Sequence, residues 1–194
     1  MKNKTFTIIS NNCVGGYIYQ HFGLKYRTPT AGLFLEAEDF LKLCTDYKRY
    51  FSKEIQFIAC EQSKNYEIFK DSDRWGEYPI GKIDDIEIYF MHYKSEEEAR
   101  EKWYRRVSRI NEKNVIFLYS ENEGCSQNFV KRFMMLPSKD KICFTYNDYC
   151  VEGTTYSPRV SALPERAWRP RLVLSEINWK KYLNNTVVSR TGGE

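Results

Sequence analysis

Cys13 and His92 are the side chains best suited to nucleophilic chemistry, and each stands where a strand-like run gives way to a turn. Around the first, the chain reads Thr7-Ile8-Ile9-Ser10-Asn11-Asn12-Cys13-Val14-Gly15-Gly16. That order predicts a strand, a tight turn and a helix N-terminus with a thiol at the turn. Exposed amides and the helix dipole favour an anion there, whether a thiolate or a bound phosphate or carboxylate. A Cys and a His at one sheet edge are the minimum equipment for a thiolate nucleophile, with His92 as the base. Asn11, Asn12 and the Gly15 and Gly16 amides are then candidates to hold a developing oxyanion. On this reading Cys13 titrates below the ordinary thiol range. The alternatives stay open: Cys13 as a compact turn residue, and His92, which alternates with Ile86, Ile88 and Phe90, as a core histidine. His21, inside the first helix, reads as structural.

A second signal lies in the stretch Ser95–Asn111. Ser95 followed by Glu98 is a capping box, which fixes the helix start. Ala99, Trp103, Val107 and Ile110 fall on one stripe, and Lys102, Arg105, Arg106 and Arg109 form an adjacent arc, with Arg106 nearest the stripe. Planar guanidinium groups bind carboxylates and phosphates bidentately, so Arg105, Arg106 and Arg109 are candidate anion contacts. The competing reading is a solvated basic face paired with Glu98 and Glu101. No Gly-rich signature of ATP or dinucleotide binding is present.

The elements that must position these groups alternate. Thr5–Ser10, Ile55–Cys60, Ile86–Tyr93, Val115–Ser120 and Lys141–Thr145 read as strands, with helical patterns between them. This predicts an α/β fold of three layers, a mostly parallel central sheet with helices on both faces. The Ile55–Cys60 strand is expected in that sheet, and the stretch from Tyr78 to Ile86 adds an antiparallel piece. Residues 1–185 read as a single α/β domain, Glu176–Leu183 as a last short helix and residues 186–194 as a disordered tail. The carboxyl ends of the strands would gather Asn11, Asn12, Cys13, Glu61, His92, Ser120, Glu121, Asn147 and Asp148 at one edge, where ligands bind in open parallel sheets.

Bulk properties exclude more than they assign. A net charge of +4 is too small to imply a nucleic-acid partner. No run approaches the roughly 20 apolar residues of a membrane span, and the run after Lys4 is too short for a signal peptide, so a cytoplasmic location is expected. Six Cys without a Cys-x-x-Cys pair, beside only two His, give no zinc pattern, so no metal ligands are expected. No cofactor is indicated.

Three runs resemble a known family. They are Ile9 to Gly16 continuing to Pro29-Thr30-Ala31-Gly32-Leu33, then Tyr78-Pro79-Ile80-Gly81, then His92 to Ala99 with Trp103, Arg105-Arg106 and Arg109-Ile110-Asn111. Together they resemble a bacterial family defined as domain of unknown function 1919, whose members are commonly labelled exopolysaccharide biosynthesis proteins. The likeness covers residues 5 to 185. A more distant similarity, through Cys13, His92, Arg105 and Arg106, is to putative papain-like cysteine peptidases, from whose true members this chain departs in its α/β alternation.

The resemblance and the residues together suggest a group-transfer enzyme of bacterial surface polysaccharide (exopolysaccharide or capsule) biosynthesis. In the preferred version a Cys13/His92 site transfers an acyl group to or from an activated or sugar-linked substrate, as a transferase ahead of a cysteine hydrolase. One alternative is a metal-independent glycosyl- or phosphoglycosyl-transferase whose Arg helix binds a nucleotide diphosphate. Another is a non-enzymatic glycan-binding or assembly protein.

Overall fold

A computed structural model describes residues 5–122, 125–138, 140–158 and 174–188. The first β-branched run forms β1 (Thr7–Ser10), followed by α1 (Val14–His21), α2 (Ala37–Thr45) and α3 (Tyr47–Ser52). Next come β2 (Gln56–Ile58), a 3-10 turn at Cys60–Gln62, α4 (Tyr66–Phe69), and the hairpin β3 (Ile80–Ile83) and β4 (Ile86–Tyr89). The rest is α5 (Glu96–Val107), β5 (Val115–Ser120), α6 (Gln127–Met134), β6 (Lys141–Thr145), β7 (Thr155–Tyr156) and α7 (Trp179–Val188). The last helix therefore enters the stretch expected to be a disordered tail, and residues 189–194 lie outside the described residues.

The main sheet is parallel in the order β1-β5-β6-β7. β5 is buried along its whole length and alternates between two cores. Its Ile116 and Leu118 meet Phe6, Ile8, Val14, Ile18, Phe144, Trp179 and Leu183 on one side, beneath α1 and α7. Its Phe117 and Tyr119 meet Phe40, Leu43, Trp103, Phe129 and Phe133 on the other, beneath α2, α5 and α6. Period-2 alternation of large apolar residues thus needs helices on both faces, as the α/β class requires.

One strand departs from expectation. Ile55–Cys60 does not join the parallel sheet: only Gln56–Ile58 is extended, and it pairs antiparallel with β3 in a second sheet of order β2-β3-β4. The β3–β4 hairpin turns tightly at Asp84-Asp85, where Asp84 takes a positive φ of 50°. Gly81 explains the tight packing of this sheet, because a Cβ there would stand 2.4 Å from Ile55 Cδ1 and 2.9 Å from Phe90. β2 is partly exposed on one edge, so burial does not draw it into the parallel sheet.

The two sheets are stitched by the segment after α1. Leu35 N–H donates to the Asn11 carbonyl at the end of β1 (2.7 Å), while Phe34 and Tyr89 exchange two backbone bonds at 2.8 and 2.9 Å. His92 N–H donates to the Gly32 carbonyl (3.2 Å). The carboxyl ends of β1 and β4, which belong to different sheets, are thereby held side by side. This seam creates the site. Among the described residues, no helix is long and apolar enough to cross a membrane.

Candidate functional site

A pocket of about 220 Å³ opens beside the seam. Its walls are Cys13, Gly16, Tyr17 and Gln20 from the α1 region, Tyr26, Ala31 and Gly32 from the seam, His92 and Tyr93 after β4, and Lys102 and Arg106 from α5. Cys13, His92 and Arg106, widely separated in sequence, line one cavity.

Cys13 is the residue before the first turn of α1, and its carbonyl accepts the Tyr17 N–H (3.1 Å). Its thiol does not behave as expected. Burial pushes it up to about 11, only partly offset by its own backbone N–H. Desolvation of the thiolate outweighs the favourable helix terminus. The resting thiol is therefore neutral, and a nucleophilic role would require a base to take its proton. Among the described residues, the thiol makes no hydrogen bond to the His92 ring.

His92 sits exposed at the rim. β4 ends at Tyr89, and the chain then turns, with Met91 N–H donating to Tyr89 O (3.0 Å) and Tyr93 N–H to Phe90 O (3.0 Å). That turn resets the alternation that would have aimed His92 at the core. The core-histidine reading is corrected accordingly.

The two asparagines are used by the framework, not by the pocket. Asn11 is fully buried; its Nδ2 donates to Ser120 O (3.0 Å) and its Oδ1 accepts from Ser120 N–H (2.9 Å), clamping the end of β1 to β5. Asn12 Oδ1 caps the Val14 N–H at 3.1 Å. Neither side chain is left to hold an oxyanion. Gly15 serves packing, since a Cβ there would lie 2.5 Å from Ser10 Oγ, whereas Gly16 does line the pocket. An oxyanion contact at this end falls to first-turn amides of α1, which helix geometry leaves without intrahelical acceptors.

The basic arc is split by the fold. Arg105 is exposed and ion-paired with Glu101 at 2.6 Å, and Arg109 lies past the end of α5; neither lines the pocket. Arg106 does, at only 8% exposure. Its guanidinium donates to Ala31 O (2.8 Å) and to the Tyr93 hydroxyl, and lies over the Tyr26 ring at 4.8 Å. Among the described residues it has no carboxylate partner. A buried guanidinium facing a cavity without a counter-charge has the chemistry to receive an anion. Lys102 joins it one turn earlier, paired with Glu98.

Sequence reasoning did not single out Tyr93, Tyr26, Tyr17 or Gln20. Tyr93 adjoins His92 and donates to Ala31 O at 2.6 Å, but only the folded seam gives it that role. Lys102 was visible in the arc; its position four residues before Arg106 places both on one helical edge.

The family model for domain of unknown function DUF1919 matches residues 1–186 of this sequence. The chain belongs to the DUF1919 family. A relative from Haemophilus influenzae, described as an uncharacterized protein, is 34% identical over 156 residues, covering 80% of this chain and 69% of its own length. Within this DUF1919 chain the matched span contains the whole pocket, from Cys13 to Arg106.

Proposed function

We propose that the pocket is the active site of a group-transfer enzyme that works on an anionic substrate in bacterial surface polysaccharide biosynthesis. One observation carries the chemistry: Cys13, His92 and a carboxylate-free, buried Arg106 line the same cavity. The polysaccharide context rests on the sequence resemblance.

In this reading Arg106 anchors the substrate's anionic group. As Cys13 sulfur attacks the acyl carbon, its proton passes to His92. The carbonyl electrons move to an oxyanion that first-turn amides of α1, including that of Gly16, stabilise. The leaving group departs with the proton from His92, giving a thioester on Cys13. An acceptor hydroxyl then attacks the thioester, His92 takes its proton and returns it to sulfur, and an ester and the free thiol result. Two features suit this order: a thiol kept neutral until a base acts, and a base exposed at the rim where an acceptor would enter.

The nucleotide-diphosphate alternative loses ground, because Arg105 and Arg109 are outside the cavity and Lys102 is already paired. In a bacterium whose own copy is deleted, surface polysaccharide is expected to be lost or altered in composition. The wild-type chain and Arg105→Ala restore it, whereas Arg106→Met does not. Unchanged polysaccharide in the deletion strain, or full restoration by Arg106→Met, would overturn the proposal.

A further inference from the structure

We infer that the pocket selects a ligand with one negative charge, and that the ligand is a carboxylate-bearing sugar of a single ring. The inference deepens the group-transfer reading of this site and rests on it for the sugar. Two cations line the cavity, Arg106 and Lys102. Lys102 is ion-paired to Glu98. Glu98 is held below the usual carboxylate range by the Lys102 ammonium and by the Lys94 N–H, so it is ionised at neutral pH and cancels that lysine.

Arg106 has only neutral partners. Burial pushes the Tyr93 hydroxyl up against the opposing pull of Arg106, and Cys13 is a neutral thiol. One positive charge remains uncompensated. A monoanion cancels it; a phosphomonoester or a nucleotide diphosphate would carry surplus charge into a partly desolvated site, at a cost.

Shape agrees with charge. Nη1 of Arg106 is committed to Ala31 O and Tyr93 Oη. Among the described residues the Nη2 and Nε edge makes no hydrogen bond. Two coplanar donors on that edge match the two oxygens of a carboxylate. At about 220 Å³ the cavity is below the roughly 300–1,000 Å³ of sites for drug-sized ligands, which leaves room for one ring. Tyr17 and Gln20 line the same cavity, and Gln20, whose Nε2 donates to the Tyr26 hydroxyl (2.7 Å), has its amide oxygen for a ring hydroxyl.

Calorimetry on the full chain, with D-glucuronate, glucose, glucose 6-phosphate and uridine diphosphate as probes, tests this. Glucuronate is expected to bind at least about tenfold more tightly than the other three. Arg106→Met is expected to weaken it by about 10- to 100-fold, the loss of a charged hydrogen bond. Circular dichroism checks that this variant is folded. Glu98→Gln provides a second arm: it frees the Lys102 charge, and should shift preference toward glucose 6-phosphate. Tighter binding of glucose 6-phosphate or uridine diphosphate by the wild type, no measurable glucuronate binding, or an unchanged preference in Glu98→Gln would overturn the inference. Cys13→Ser is expected to keep glucuronate binding. A failure of the ligand class is thereby separate from a failure of the catalytic reading, which polysaccharide recovery reports.

Discussion

Cys13→Ser is expected to lower turnover on the order of 10³-fold, about 4 kcal/mol of barrier, while leaving the melting temperature nearly unchanged. The hydroxyl fits where the thiol sat, at the start of α1, and no side-chain capping bond is lost, because Cys13 makes none. What disappears is sulfur's nucleophilicity. The same thiol should show its burial in its reaction with iodoacetamide, whose carbon only the thiolate attacks, displacing iodide. An acid whose pKa is raised stays protonated below that value. The alkylation rate should therefore climb about tenfold per pH unit above pH 7 and level off only near 11. A plateau below pH 8 would mean a preformed thiolate, and full turnover in Cys13→Ser would leave Cys13 a turn residue.

Trp103→Ala should produce the largest loss of stability, about 3–5 kcal/mol. Trp103 is buried on the core face of α5, edge-on to Phe51 (5.5 Å) and Phe90 (6.0 Å). At roughly 2–4 °C per kcal/mol for a domain of this size, thermal unfolding should fall by about 6–20 °C. The variant should also weaken ligand binding, because α5 presents Arg106 and Lys102 from the helical edge beside this stripe. Trp103→Phe should cost much less. Trp103 Nε1 is buried without a hydrogen-bond partner among the described residues, so the smaller ring removes an unsatisfied donor along with some contacts. Equal losses in both variants would show that a phenyl ring recovers none of the packing and that the site needs the whole indole.

What was legible in the sequence follows the range of the interactions involved. Ser95 and Glu98 announce the start of α5 because capping is local, and the structure realises it: Glu98 N–H donates to Ser95 Oγ (3.2 Å), and Glu98 Oε2 accepts from Lys94 N–H (2.8 Å). The two-faced apolar run of β5 likewise reveals a central strand. By contrast, Asn11 looked like a ligand contact because its partner, Ser120, is 109 residues away. The placement of β2 depended on its pairing with the β3–β4 hairpin, which its own residues do not encode. Cys13 and Arg106 were both picked out by type and position. Burial keeps the Cys13 thiol neutral at rest, whereas Arg106 lines the cavity with no carboxylate partner among the described residues.

If Arg106 holds a carboxylate beside the Cys13 thiol, a carboxylate-bearing reagent should be drawn to that thiol. Iodoacetate and iodoacetamide share one reacting carbon and differ by one negative charge, so the ratio of their rates at Cys13, followed by mass spectrometry at fixed pH, reads out whether Arg106 captures the carboxylate. An ordinary thiolate repels iodoacetate and prefers the neutral reagent. In the wild type the reverse is expected: iodoacetate reacts faster and with saturation, because Arg106 binds its carboxylate first. Arg106→Met should return the ordinary preference. Faster reaction with iodoacetamide in the wild type, with a ratio unmoved by Arg106→Met, would show that Arg106 does not hold a carboxylate beside Cys13.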